Sequence, residues 1–138
     1  MSNILAIVRG ISGSGKSTYA KSLGGLYTHL EADQFFMVNS EYKFDVNLLQ
    51  YAHKWCLMNT IKGLLSGNVV VSNTFTRVWE MEKYFEISSI LNIKIFVKEM
   101  KTEYTNTHGV PPKVIQSMKD RWEEIPEDII KKYNIEIV

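Results

Sequence analysis

The sequence predicts an α/β fold in three layers, a mostly parallel sheet of about five strands with helices on both faces. Three observations carry this. A continuous apolar run, Ile4 to Val8, leads within two residues into a glycine- and serine-rich loop and then a short helix. Apolar runs of strand length alternate with helical ones along the rest of the chain, the pattern of right-handed strand–helix–strand crossovers. The run Val69-Val70-Val71 is β-branched without polar alternation, as expected of a strand covered on both faces.

Taken in order, Tyr19 to Leu23 continue a short helix that stops at Gly24-Gly25. Leu26 to Leu30 read as a short strand and Gln34 to Val38 as a helical turn. A long helix runs from about Val46 to Leu65 and ends before Gly67-Asn68. On it Leu48, Tyr51, Trp55, Met58 and Leu65 share one arc at about 100° per residue, while Leu49, Cys56 and Leu64 lie on the other side with His53 among them. Such a helix is sandwiched or lines a cleft. The Val69 to Val71 strand ends in Ser72-Asn73-Thr74. A helix from about Val78 to Leu91 follows, then a strand from Ile93 to Val97. Residues 98–110 are polar and aperiodic and are expected to form a lid. Pro111-Pro112 open a helix to about Trp122, since proline is tolerated in a first turn. Ile135 to Val138 form a last edge strand. With 138 residues and no repeat or linker, the chain reads as one domain, residues 1–138. Ligands of such sheets bind at the carboxyl ends of the strands. The loop after the first strand, Asp33 and Asn73 should therefore gather at one edge.

That loop, Gly10-Ile11-Ser12-Gly13-Ser14-Gly15-Lys16-Ser17-Thr18, fills every position of the Walker A phosphate-binding pattern, glycine, four residues, then Gly-Lys-Ser/Thr. Glycine allows positive φ and close approach of backbone amides to a phosphate. The amides of residues 10–17 are expected to form an anion-binding nest ahead of a helix. Lys16 is placed to reach the β- and γ-phosphates of ATP, and the Ser17 hydroxyl to bind magnesium. Strand, loop and helix come in the order of a P-loop NTPase.

Composition narrows the class. With 45% hydrophobic residues the chain can bury a core, and a net charge of +1 argues against a wide basic surface for long nucleic acid, though not against a pocket for one phosphorylated end. Only Arg9, Arg77 and Arg121 are arginines. A single cysteine, Cys56, forbids an internal disulfide and fits a reducing compartment. The apolar runs are too short to span a membrane and the N-terminus lacks a signal-peptide pattern, so a soluble cytoplasmic protein is expected. No second histidine or cysteine stands at zinc-ligand spacing.

Beyond the loop, the chain resembles the small P-loop kinases related to the 5′-kinase domain of phage polynucleotide kinase. More closely, it resembles the kinase-like domain of Nedd4-binding proteins and of many phage and bacterial proteins grouped with AAA-type ATPases. The resemblance rests on Arg9-Gly10, Ala32-Asp33-Gln34-Phe35-Phe36, Ala52-His53-Lys54-Trp55, Val70-Val71-Ser72-Asn73-Thr74, Trp79-Glu80-Met81 and Asn106-Thr107-His108-Gly109-Val110-Pro111. It implies a nucleoside-kinase-like P-loop fold and transfer of the ATP γ-phosphate to a hydroxyl. It also implies that Asp33 is the general base, orienting the hydroxyl and taking its proton. The alternative reading of Asp33 is an N-cap for the Gln34 to Val38 turn, and one residue can cap and still face the cleft.

The chain departs from that family's pattern at informative places. Where the family carries an aspartate after the third strand, Asn73 stands here; it can bond a magnesium-bound water or a substrate hydroxyl, or simply serve as a turn residue. The metal would then rely on Ser17, phosphates, waters and Asp33. The lid places usually holding arginine are Tyr104 and Thr105. Lys98, Lys101, His108 and, after the third strand, Arg77 are the candidate cations instead, without arginine's fork except at Arg77. Phe36 replaces an arginine beyond the base. His53 is either structural or part of an acceptor pocket, and Arg9 is expected to make an ion pair or backbone contact.

Three functions follow. The first is a magnesium-assisted kinase acting on a nucleic-acid 5′-hydroxyl, the second a kinase for a nucleoside or other small hydroxyl compound. The third is a nucleotide-binding module with little turnover. Labelled ATP offered with oligonucleotides and then nucleosides separates them.

Overall fold

The computed structural model describes residues 3–101 and 109–138. Its strands are β1 (Ile4–Gly10), β2 (Tyr27–Leu30), β3 (Met37–Val38), β4 (Glu41–Tyr42), β5 (Asn68–Asn73), β6 (Lys94–Met100) and β7 (Glu136–Ile137). Its helices are α1 (Lys16–Ser22), α2 (Leu49–Leu64), α3 (Val78–Ile90), α4 (Pro112–Asp120) and α5 (Glu127–Tyr133). Five strands form one sheet in the order β2-β5-β1-β6-β7, and every pairing in it is parallel. The predicted α/β class, the strand number and the edge strand at the C-terminal end therefore hold.

The central strand shows why the sheet has helices on both sides. Successive side chains of a strand point to opposite faces. Leu5 and Ile7 pack with Val69, Val71, Ile95 and Val97 against Ala52, Cys56 and Leu64 of α2 and Met81 and Phe85 of α3. Ala6 and Val8 pack on the other face with Val70, beneath Ala20 and Tyr19 of α1. The uninterrupted apolar run of β1 is thus two interleaved half-runs, one for each layer.

Of the two apolar sides expected on α2, the one with Cys56 and Leu64 is buried, with Leu49 packed against it, and the other is not. The buried residues of α2 are Ala52, Cys56, Thr60 and Leu64, at four-residue spacing. Leu48, Tyr51, Met58 and Leu65, expected on one buried arc, are exposed, and Trp55 is half-buried. The sheet accepts a stripe of small side chains because the helix lies close to it: a Cβ on Gly63 would stand 2.7 Å from Val69 Cγ2. Size, and not hydrophobicity alone, selects the face.

The expected turn at 34–38 is a 3-10 helix, Ala32–Phe36, running into the antiparallel hairpin β3–β4. Asn39 and Ser40 both have positive φ (51° and 67°), the conformation of a two-residue hairpin turn. α5 was not anticipated. Its signals were present: Pro126 before it, Glu127 and Asp128 in the first turn, Lys131 and Lys132 in the last, and Asn134 left-handed at its end.

Arg9 ties the carboxyl edge together. Fully buried, it donates through Nε and Nη2 to the Phe75 carbonyl (3.0 and 2.7 Å), and through Nη2 to the carbonyls of Thr76 (3.2 Å) and Glu123 (2.8 Å). Nη1 pairs with Glu99 Oε2 at 3.0 Å, and the guanidinium lies 3.8 Å from the Trp122 ring centroid. Arg9→Met should lower stability by about 3–5 kcal/mol, because it strands the nearly buried Glu99 carboxylate and three carbonyls. Urea unfolding with an unchanged slope is the check. Arg9→Lys should restore only part, lacking the fork.

Candidate functional site

β1 ends where the phosphate loop begins. Gly10 donates its amide to the Thr74 carbonyl (3.2 Å) and has no room for a side chain: a Cβ would meet Ser14 Oγ and lie 2.8 Å from the Met100 carbonyl. Gly13 and Gly15 take φ of 81° and 87°, open to glycine at little cost. The loop closes on itself through Ser14 N–H to the Ile11 carbonyl (3.3 Å). Ser12, Gly13, Ser14 and Gly15 line this turn, and Lys16, Ser17 and Thr18 begin α1.

Two side chains in the loop are poised unusually. Ser14 Oγ is buried with no hydrogen-bond partner among the described residues. A buried hydroxyl in that state costs about 1–3 kcal/mol, and an anion in the loop would relieve it. Lys16 donates from Nζ to the Ile11 carbonyl at 2.9 Å. Burial lowers its pKa, with Glu31 and Asp33 pulling the other way.

Glu31, directly after β2, is a site residue that the sequence reading missed. Its Oε1 accepts from Ser17 Oγ, from Ser72 Oγ (2.8 Å) and from His29 Nε2 (3.1 Å). His29 Nε2 also lies 2.7 Å from Ser72 Oγ. The pairing of Leu30 with Val71 is what sets Glu31 beside Ser72. Burial raises the carboxyl's pKa, but the bonds from His29, Ser17 and Ser72 outweigh it and hold the group down to about 2. The signal available was topological: only the adjacency of β2 and β5 distinguishes Glu31 from a solvated strand-end residue.

A carboxylate held below its ordinary value stabilises the fold above that value and loses the contribution as pH falls toward the folded pKa. Between an ordinary 4.5 and about 2, Glu31 should therefore contribute acid-sensitive stability of roughly 3 kcal/mol. Chemical unfolding at pH 6 and pH 3 should show a smaller difference in Glu31→Gln than in wild type. An equal difference would assign the acid sensitivity elsewhere.

The other candidates separate. Asp33 is exposed on the 3-10 turn, and its Oδ1 accepts from the Tyr42 hydroxyl at 3.2 Å. The N-cap of that turn is Glu31, not Asp33, and it makes no side-chain capping bond. Asn73 is 9% exposed and engaged within the fold: Oδ1 accepts from the Ala32 amide (2.9 Å) and Nδ2 lies 3.8 Å from Cys56 Sγ. It therefore anchors the turn carrying Asp33. Arg77 pairs with Glu123 at 3.4 Å on the surface. His53 is exposed on α2. Lys101 lines a cavity of about 370 Å³ with Ile11, Met100, Lys119 and Trp122. Lys98 lies 5.6 Å from the Tyr19 ring centroid. His108, Tyr104 and Thr105 lie outside the described residues. Cys56 is buried, with its thiol pKa pushed up by burial. Among the described residues no group of three or more His, Cys, Asp or Glu side chains is placed to hold a metal, and no helix is long and apolar enough to cross a membrane.

No protein-family model matches the chain. It is 30% identical to human NEDD4-binding protein 2 over 137 residues, which cover 87% of this chain and 8% of that protein. It is 29% identical to an uncharacterized Pasteurella multocida protein over 134 residues, 83% of this chain and 73% of the relative. Among solved structures, Chaetomium thermophilum Kti12 in complex with ADP-AlF3 aligns with a TM-score of 0.68 at 9% identity, over 97% of this chain and 88% of that one. A gluconokinase from Sinorhizobium meliloti aligns at 0.58 and 16% identity, over 99% and 81%. The Pnkp1/Rnl/Hen1 RNA repair complex aligns at 0.61 and 18%, over 96% of this chain and 43% of that one. With its phosphate loop between β1 and α1, the chain shares the α/β fold of these solved structures.

Proposed function

We propose that the chain is an ATP-dependent phosphotransferase that moves the γ-phosphate of ATP to a hydroxyl, the acceptor being a polynucleotide 5′ end. One observation carries the reading. The phosphate loop opens beside the strand-end turn bearing Asp33: Ser17, next to Lys16, donates to Glu31, two residues before Asp33. Loop amides and Lys16 would hold the triphosphate and take up charge as it spreads over the transferring group. The acceptor oxygen forms its bond to the γ-phosphorus, the bond to the β–γ bridging oxygen breaks, and Asp33 receives the acceptor's proton. ADP leaves.

The donors at the mouth fit magnesium, which takes hard oxygen ligands and keeps several waters. Ser17 supplies a hydroxyl oxygen with the Glu31 carboxylate behind it. When bound with ATP, magnesium neutralises phosphate charge.

The acceptor reading draws on the hairpin next to Asp33. Tyr42 and Phe44 are about half-exposed and stacked, ring centroids 6.4 Å apart at 20°. Tyr42 also bonds Asp33. A flat nucleobase next to the reacting hydroxyl suits such a surface, and stacking of this kind is worth about 1–3 kcal/mol per base. Likeness to the RNA repair complex supports the same choice. The chain reads as a single kinase domain, residues 1–138, and a buried lone thiol at Cys56 agrees with a cytoplasmic setting.

The test is γ-labelled ATP with 5′-hydroxyl oligonucleotides, the same oligonucleotides lacking the terminal base, and a panel of nucleosides and sugars. Transfer should favour the intact oligonucleotide over the abasic one by about 5- to 150-fold. Transfer confined to the small molecules would refute the polynucleotide acceptor. Binding of ATP without transfer to any acceptor would refute catalysis.

A further inference from the structure

We infer that Glu31 is the positioning residue for Ser17: its carboxylate holds the proton of the Ser17 hydroxyl, so that the hydroxyl oxygen turns its lone pairs to a divalent cation arriving with the triphosphate. The inference rests on the nucleotide-binding reading above.

A serine hydroxyl has one proton to donate and two lone pairs to offer. Left to rotate, it can point either at a cation, and the wrong one repels. The Ser17 proton is committed to Glu31 Oε1. Glu31 is in turn fixed by two more groups on the same oxygen, Ser72 Oγ at 2.8 Å and His29 Nε2 at 3.1 Å. Partners of this kind behind a metal ligand set its orientation and basicity.

Two alternatives are disfavoured by the same geometry. Glu31 is not simply a counter-charge for Lys16, because the Lys16 ammonium donates to the Ile11 carbonyl. Nor does β5 bring a competing carboxylate: Ser72 is neutral, and the next residue, Asn73, faces the Ala32 amide and the Cys56 thiol. The negative charge behind Ser17 therefore comes from the end of β2. Asn73 contributes indirectly, by fixing the backbone at Ala32, one residue beyond Glu31.

The experiment is titration calorimetry of the full chain with ADP, in EDTA and in magnesium, for wild type, Glu31→Ala, Glu31→Gln and Ser17→Ala. Paramagnetic resonance of manganese–ADP on each protein gives a second readout. The gain in ADP affinity that magnesium provides should fall about 10- to 100-fold in Glu31→Ala. Affinity in EDTA should stay within about twofold, since no metal is positioned there. Glu31→Gln keeps an acceptor oxygen and should lose less. Glu31→Ala in a Ser17→Ala background should add nothing further, because there is no hydroxyl left to orient.

Equal losses with and without magnesium, or an unchanged magnesium gain, would overturn the inference while leaving nucleotide binding intact. Absence of ADP binding by wild type under both conditions would instead remove the reading on which it rests. Should Glu31→Ala not fold, Glu31→Gln compared with Ser17→Ala decides: a magnesium gain in Glu31→Gln equal to wild type overturns it.

Discussion

Lys16→Ala is expected to abolish γ-phosphate transfer, with a loss of at least about 10²–10³ in kcat/KM, while the protein remains folded. The size follows from where the charge sits. At a partly buried loop, an ammonium group aimed at a triphosphate acts at a lower effective dielectric than in water and needs no rearrangement as charge develops. The folded state should not suffer. Burial holds the pKa of Lys16 below its ordinary value. A lysine shifted in that direction costs stability wherever the unfolded lysine is charged, and the cost is relieved only as pH rises past the folded pKa. Removing it should leave the melting temperature at neutral pH unchanged or raised. Single-turnover transfer from labelled ATP and thermal unfolding, measured on the same sample, make the test. Turnover close to wild type would refute the role assigned to Lys16. A large fall in melting temperature would show instead that the lysine holds the loop together.

The reach of the sequence ended where contacts between distant segments began. Local chemistry was legible: Gly13 and Gly15 adopt the positive φ that the motif requires, and Arg9 makes the ion pair and backbone contacts expected of an arginine at a buried strand end. The sheet was legible because Ile4 to Val8 and Val69 to Val71 can be satisfied only by burial on both sides. The buried face of α2 was legible only in part: Cys56 and Leu64 stood on one of two expected sides, but periodicity weighs Leu48 and Met58 above Ala52 and Thr60, whereas a close helix–sheet contact selects the small residues. Glu31 was not visible for a related reason. Its meaning depends on Ser17, 14 residues before it, and Ser72, 41 residues after it. A single sequence does not state that β2 and β5 are neighbours. Asn73 was open to two readings, ligand or turn residue, and its side chain completes a buried hydrogen bond with the Ala32 amide.

Asp33→Asn should lower turnover by about 10²–10⁴-fold and leave ATP affinity within a few-fold of wild type. Two carboxylates stand two residues apart at this mouth, and their surroundings divide the work. Glu31 Oε1 already accepts from three groups, and its carboxyl is held down to about 2, so it is a poor acceptor for an alcohol proton. Asp33 is exposed, and its Oδ1 accepts from the Tyr42 hydroxyl, which orients the group without burying it. Asparagine preserves the shape and an oxygen for Tyr42 but cannot take a proton. Because the side chain is exposed, the melting temperature should hold, so a fall in kcat can be attributed to chemistry. Pre-steady-state transfer together with ATP binding by calorimetry separates the possibilities. A collapse of ATP affinity would make Asp33 a metal or structural residue. Unchanged turnover would move the base elsewhere, and the bonds already on Glu31 make it a weak replacement.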